Sequence, residues 1–295
     1  MKESILLIAN PAARRASSRS IEKAAALFRS KGYEVTISLT RQRGEAEELA
    51  KKASRDRLSL VVAAGGDGTF NEVVNGLAYT DTPMAILPMG TTNVLAKELG
   101  IPEILEGAVA RAIKGSGRSV SLGKITANHP PSGSVTRYFC LMAGIGFDGE
   151  AVYRFRSSLK RYSGRAAYVL SGLKTLLSYA PEPLLFSVDG NSRRGYSAIV
   201  GKASRYGGNF QVTPDAALTD PHFHLVIMEG KKRRDVLRYV CGIVAGGHLG
   251  FRDISYLKAD AIRIEGRAAV QVDGDYLGFT PAEITVAPQA VKLVY

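Results

Sequence analysis

The chain carries two cysteines, Cys140 and Cys241, each set among apolar residues. Two isolated thiols provide neither a disulfide framework nor a cysteine-based zinc site, so they read as small core fillers. The four histidines, His129, His222, His224 and His248, lack metal-ligand spacing and read as structural. No apolar run approaches the ~18 residues of a membrane-spanning helix. The opening stretch MKESILLIANP holds an apolar segment too short for a signal peptide and is ended by Asn10-Pro11. It fits a first buried strand, and a cytoplasmic location is the default expectation. Acid is also scarce: 27 Asp and Glu stand against 39 Lys and Arg, a net charge of +12. That imbalance favours nucleotide phosphates, nucleic acid or an anionic membrane surface as partner. Zinc-finger spacing, RNP-like aromatics and a helix-turn-helix signature are all missing, which argues against nucleic acid.

What is present is a globular composition, 45% apolar and 22% charged, in a chain of 295 residues that has room for two domains. Residues 1–120 alternate in type. Apolar strand-like runs at Ser4–Ala9, Tyr33–Leu39, Leu58–Ala64 and Met84–Leu87 are separated by helical patterns, among them Ile21, Ala24, Ala25, Leu27 and Phe28. Strands alternating with helices predict βαβ units and a parallel sheet. After Gly117 the pattern becomes strand upon strand: 132–142, 184–188, 196–202, 222–228, 261–264 and 268–272, with turn signals such as Asp189-Gly190 and Asp273-Gly274 between them. This predicts an antiparallel, sandwich-like second domain, interrupted by helices over 164–178 and 232–244. Gly115-Ser116-Gly117 reads as a hinge.

One turn stands apart. Gly65-Gly66-Asp67-Gly68-Thr69 follows the apolar run 58–64 and precedes the helical stretch Glu72–Leu77. Its three glycines leave main-chain N–H groups uncovered, and the helix presents its positive end to the same place. Thr69 and Asn71 suit capping or phosphate contact. Asp67 is an odd member beside phosphate unless a cation such as magnesium intervenes; the alternative is a tight turn with Asp67 as helix cap. The motif is neither the Walker pattern nor the dinucleotide fingerprint. A second glycine–hydroxyl turn, Gly90-Thr91-Thr92-Asn93, and a third, Asn10-Pro11, also follow apolar strands. In a parallel sheet all three fall at carboxyl ends, where ligands bind.

GGDGTFNEVVNG, with IANP upstream, LPMGTTN downstream and VDGDY late in the chain, resembles the diacylglycerol kinase catalytic family, its bacterial soluble branch above all. GGDGT alone also occurs in NAD kinases. The resemblance spans the chain and implies an α/β N-terminal domain of Rossmann-like, phosphofructokinase/NAD-kinase type over residues 1–120, with room for a final strand near 288–295 to return to it. It implies a β-rich antiparallel lipid-substrate domain over 121–287, and ATP- and Mg2+-dependent phosphorylation of a lipid hydroxyl. The implied nucleotide contacts are Asn10, Thr40, Gly65, Gly66, Asp67, Gly68, Thr69, Asn71, Glu72 and Thr91. Asp273 is implied as general base, with Asp275 as a supporting carboxylate, although Val188-Asp189-Gly190 shows that the same tripeptide also serves as a plain hairpin turn. A structural magnesium site is implied at the Asp220 side chain and the carbonyls of Ala217 and His222.

Ser121 stands where related enzymes often place an aspartate, and Asp67, Asp148 or Asp275 are the candidates to compensate. Two basic clusters, Arg154, Arg156, Lys160, Arg161 and Arg165 with interleaved aromatics and Lys231–Arg234, suit an anionic membrane as well as plain solvent. The reading is a lipid kinase, peripheral at the inner membrane face, acting on diacylglycerol or a related lipid; a homodimer is an allowed assembly. The alternatives are an NAD kinase-like enzyme and a non-catalytic nucleotide- or lipid-binding protein.

Overall fold

The structure is a computed structural model that describes residues 3–158, 175–176 and 178–295, the side chains of 155–158 excepted. Of the helix expected over 164–178, only 175–176 and 178 are described, and they are helical. Lys160, Arg161 and Arg165 of the first basic cluster lie outside the described residues. The chain forms two compact units, 1–122 with 288–295, and 123–287.

In the first unit, strands and helices alternate: β1 (Ser4–Ala9), α1 (Ser18–Arg29), β2 (Glu34–Leu39), α2 (Glu45–Arg55), β3 (Leu60–Gly65), α3 (Asp67–Leu77), β4 (Met84–Pro88), α4 (Val94–Glu98) and α5 (Leu105–Lys114). The strands pair in the order β2-β1-β3-β4, all parallel. Every residue of β3 and β4 is buried, as expected of strands covered on both faces. α1 begins at a capping box between Ser17 and Ser20, and its Ile21, Ala24, Ala25 and Phe28 stripe faces inward. α2 buries only alanines, Ala46, Ala50 and Ala53, so α3 approaches closely. At Gly76 of α3 a Cβ would stand 2.5 Å from the Glu47 carbonyl oxygen and 2.7 Å from Ala50 Cβ.

The chain enters the second unit within β5 (Gly117–Asn128), a few residues beyond Gly115-Ser116-Gly117. Gly115 ends α5, where a Cβ would meet the Arg111 carbonyl oxygen at 2.6 Å and Val294 Cγ1 at 3.1 Å. There follow β6 (Ser134–Phe139), β7 (Met142–Ile145), α6 (Phe147–Ser158), β8 (Leu184–Val188), β9 (Asn191–Gly195), β10 (Ser197–Gly201), β11 (Arg205–Tyr206), β12 (Phe210–Gln211), β13 (Phe223–Met228), α7 (Arg233–Ala245), β14 (Ile254–Ala259), β15 (Ala261–Glu265), β16 (Ala269–Val272) and β17 (Asp275–Val294). One layer runs β14-β13-β10-β7-β16-β17, antiparallel at each pairing. β17 then continues alongside β15, which pairs β8, which pairs β9. Phe186, Ile262, Ile264 and Ile284 from this second layer meet Ile145, Val200, Leu225 and Val270 of the first in one core. Each such side chain removed from water contributes roughly 2 kcal/mol. The alternation of β15, with Ile262 and Ile264 inward and its neighbours outward, is the period-2 signature of a one-sided sheet.

The tight α2–α3 contact makes a prediction. Gly76→Ala adds helix propensity of roughly 0.5–1 kcal/mol, but the added methyl meets main chain, where overpacking costs about 1–3 kcal/mol. Urea unfolding should show net destabilisation; a stabilised variant would contradict the close packing.

Candidate functional site

The strand order β2-β1-β3-β4 reverses direction between β1 and β3, and in open α/β sheets the crevice at such a reversal is where ligands bind. The turns after β1 and β3 stand there together. The Asn10 amide nitrogen lies 3.3 Å from Thr69 Oγ1, and its Oδ1 accepts the N–H of Ala12 at 2.9 Å. Next to them the turn after β3 touches the turn after β4. Met89 donates its N–H to the Gly65 carbonyl at 2.7 Å, and a Cβ on Gly90 would fall 2.5 Å from Gly66 Cα. Any side chain at Gly90 would push the two loops apart. Gly65 has its own reason: a Cβ there would overlap Thr69 Oγ1 at 2.5 Å. Gly68 is exposed and has open space where a side chain would point. At the N-terminus of α3, Gly66 supplies no side-chain cap, so the first N–H groups of this helix face the crevice without one.

The loop after β4 is shaped by Asn93, fully buried at a φ of 50°. Its Oδ1 accepts the Gly90 N–H at 2.9 Å and its Nδ2 donates to the Gly90 carbonyl at 3.2 Å, closing Gly90–Asn93 into a ring that presents Thr91. Asp67 is a tie between the two turns: its Oδ1 accepts the Leu95 N–H at 3.1 Å, at the start of α4. Burial raises its carboxyl above the ordinary range, opposed by the main-chain N–H groups of Leu95 and Val94. Of the two expectations for Asp67, a helix cap is the role the geometry shows, and the helix it caps is α4. Glu72 likewise holds a helix start: its two oxygens accept the N–H groups of Gly44 and Ala46 at 2.9 and 3.2 Å, at the start of α2. Asn71 is buried within α3 and receives the amide of Asn75. Thr40 is buried behind β2, its N–H donated to Ala9. Asn10, Gly66, Gly68, Thr69 and Thr91 thus assemble at one edge, while Asp67 and Glu72 fasten its supports. Ser121 Oγ accepts the N–H of Gln289 at 3.4 Å.

In the second unit Asp273 and Gly274 form the two-residue turn between β16 and β17, with φ values of 47° and 88°. Asp189-Gly190 makes the same turn between β8 and β9, at 45° and 86°. Both are the Asp-Gly form of the hairpin turn that needs two positive φ angles. Both aspartates bind main-chain amides: Asp189 those of Asp260 and Ala261, Asp273 those of Cys140, Leu141 and Met142 at 2.9, 2.9 and 3.0 Å. Asp275 opens β17 opposite Val272. Two residues missed in the sequence hold this turn. Gln271, fully buried, accepts the Gly274 N–H through Oε1 at 2.8 Å and donates from Nε2 to Asp148 at 2.6 Å. Tyr206 donates to the other oxygen of Asp148. Gly144 makes room for that carboxylate, since a Cβ there would sit 1.9 Å from Asp148 Oδ2.

Ala217, Asp220 and His222 do come together, but around an ammonium. Nζ of Lys202 lies 3.1, 2.5 and 3.5 Å from their carbonyl oxygens, and Lys202 is wholly buried. Burial lowers its pKa to about 8, against the opposing pull of Asp220. The implied magnesium ion does not fit this arrangement: the carbonyls already receive a cation, and the Asp220 carboxylate turns toward His224, 4.0 Å away. Among the described residues no group of three His, Cys, Asp or Glu is placed to hold a metal.

The first unit is a parallel α/β sheet with glycine turns at the carboxyl ends of its strands, and the second is an antiparallel sandwich. The diacylglycerol kinase catalytic domain matches residues 4–125, and the YegS C-terminal NAD kinase beta sandwich-like domain matches 142–295. A diacylglycerol kinase of Bacillus subtilis is 34% identical over 263 residues, 87% of this chain and 84% of its own. The crystal structure of a diacylglycerol kinase from Bacillus anthracis superposes with a TM-score of 0.72 at 22% identity, over 99% of this chain and 97% of its own. Yeast NADH kinase in complex with NADH shares the fold more distantly, with a TM-score of 0.53 at 13% identity over 100% of this chain and 84% of its own. The chain belongs to the diacylglycerol kinase catalytic family.

The Asn93 ring is open to test. Asn93→Ala removes two hydrogen bonds and places alanine at positive φ, for a loss of roughly 2–4 kcal/mol. Asn93→Gly restores the backbone freedom and should lose less. Equal losses in urea unfolding would mean that the backbone angle contributes nothing.

Proposed function

We propose that this protein is an ATP-dependent kinase that phosphorylates the hydroxyl of a membrane lipid, diacylglycerol or a close relative. The observation that carries the reading is the glycine turn of Gly66 and Gly68 at the strand reversal, with the uncapped N-terminus of α3 behind it. Those N–H groups suit the phosphate oxygens of ATP, and Asn10 and Thr69 suit its outer contacts. Mg2+ brought with the nucleotide would neutralise charge on the transferred phosphoryl group.

The bond from the lipid oxygen to the γ-phosphorus forms as the bond from that phosphorus to the β–γ bridging oxygen breaks. Asp273 takes the hydroxyl proton and aims the attacking oxygen. Three main-chain N–H groups and the Gln271 link to Gly274 fix its position, which supports an orienting role. Asp273→Asn keeps an oxygen for Leu141 and Met142 but turns an NH2 group toward the Cys140 N–H. It should therefore cost some stability along with a fall of two or more powers of ten in kcat, within the usual worth of a general base. Unchanged kcat in folded Asp273→Asn would remove the base assignment.

A lipid substrate requires a membrane face. α7 exposes Leu237, Val240, Cys241 and Val244 along one side, directly after the exposed cluster Lys231, Lys232, Arg233 and Arg234. Apolar side chains beside a basic cluster suit the interface of an anionic bilayer. No described helix is long and apolar enough to cross a membrane. Leu237→Glu with Val244→Glu should weaken sedimentation with phosphatidylglycerol vesicles at least tenfold and leave ATP binding intact; undiminished binding would move the docking surface elsewhere.

The kinase reading is tested by incubating the protein with γ-labelled ATP and a whole-lipid extract, with NAD in parallel. Label in a glycerolipid phosphate is expected. Label in NADP would establish the NAD kinase-like alternative. Ser121, its hydroxyl bound to Gln289, favours the second reading of a non-catalytic binding protein; ATP binding with no labelled product would support that one.

A further inference from the structure

Three main-chain carbonyls that converge in a half-buried loop need a donor or a cation, since each gives up part of its hydration there. Ala217, Asp220 and His222 form such a set, on the segment leading into β13. The donor comes from a different strand: Lys202 follows the last residue of β10, its own N–H donated to the Leu141 carbonyl at 2.8 Å. Its side chain is wholly buried, and Nζ points at all three oxygens. An ammonium has three N–H donors and no acceptor, so three carbonyls match its capacity. The Asp220 carboxylate, about a third exposed, adds opposite charge on the solvent side.

We propose that the Lys202 ammonium is a built-in cation that takes the place of a divalent ion at this site and makes the second unit independent of metal for its fold. Mg2+ requires oxygens at about 2.0–2.1 Å in near-octahedral order. The oxygens here stand at ammonium distances, and a second positive charge would have to share them with Nζ. Lys202 thereby fastens the β10 end to the loop before β13 with a covalently held charge that no chelator removes.

The test uses the full chain without nucleotide or lipid, so it is independent of the kinase reading. Thermal unfolding is followed in EDTA and in increasing MgCl2. The native midpoint should be the same in both. Lys202→Met keeps length but not charge, leaves the carbonyls unsatisfied and should unfold several degrees lower. Lys202→Ala opens an oxygen-lined space, and its midpoint should rise saturably with MgCl2 or CaCl2. A native midpoint that climbs saturably with Mg2+ overturns the proposal even if neither variant folds. So does a Lys202→Met midpoint equal to the native one, or a folded Lys202→Ala that ignores both ions.

Discussion

The approach of two main chains at Gly66 and Gly90 is the constraint on which the first unit's site depends. Loops after neighbouring parallel strands normally splay because their side chains need room. Here neither position has one, and the loops close to a separation that a single Cβ would break. The edge that results is made of peptide groups, and it lies beside the strand reversal, on the β3–β4 side of the order β2-β1-β3-β4. The sheet thus sets where this edge lies, and the glycines determine what it is made of.

Several charged side chains among the described residues act on the main chain. Asp67 and Glu72 cap the helices that flank the glycine turn, α4 and α2. Asp273 and Asp189 collect amides at two hairpins, and Lys202 collects carbonyls. Bonds between a charged group and a peptide group are among the stronger ones, contributing about 1.5–3 kcal/mol each. Surface ion pairs such as Arg15–Glu103 contribute little by comparison. The acid-poor composition is consistent with this economy: several carboxylates have assigned structural work.

Much of this was legible in the sequence where the signal is local. Continuous apolar runs gave the buried parallel strands, Asp-Gly pairs gave the hairpins, and glycine–hydroxyl turns fall at strand ends as expected. What was not legible depends on partners far apart in the chain. The capping bonds of Asp67 and Glu72 reach amides 28 and 26–28 residues away, which no local pattern reveals. Gln271 sits in an apolar strand and reads as a misplaced polar residue until Asp148 and Gly274 meet it. Lys202 reads as a solvated strand end, because nothing local reveals that a loop some 15–20 residues on turns its carbonyls inward. The matching turns at Asp189 and Asp273 show the same limit from the other side: identical local chemistry, with roles separated only by surroundings.

The central claim is that main-chain N–H groups at the strand reversal hold the nucleotide. The direct measurement is a two-dimensional amide spectrum of the isotopically labelled chain, titrated with a non-hydrolysable ATP analogue and Mg2+. The account predicts the largest shifts at Gly66, Gly68, Thr69 and Thr91, with the amides of Gly44 and Ala46, already held by Glu72, little changed. Saturable binding that leaves those four amides unmoved would contradict it.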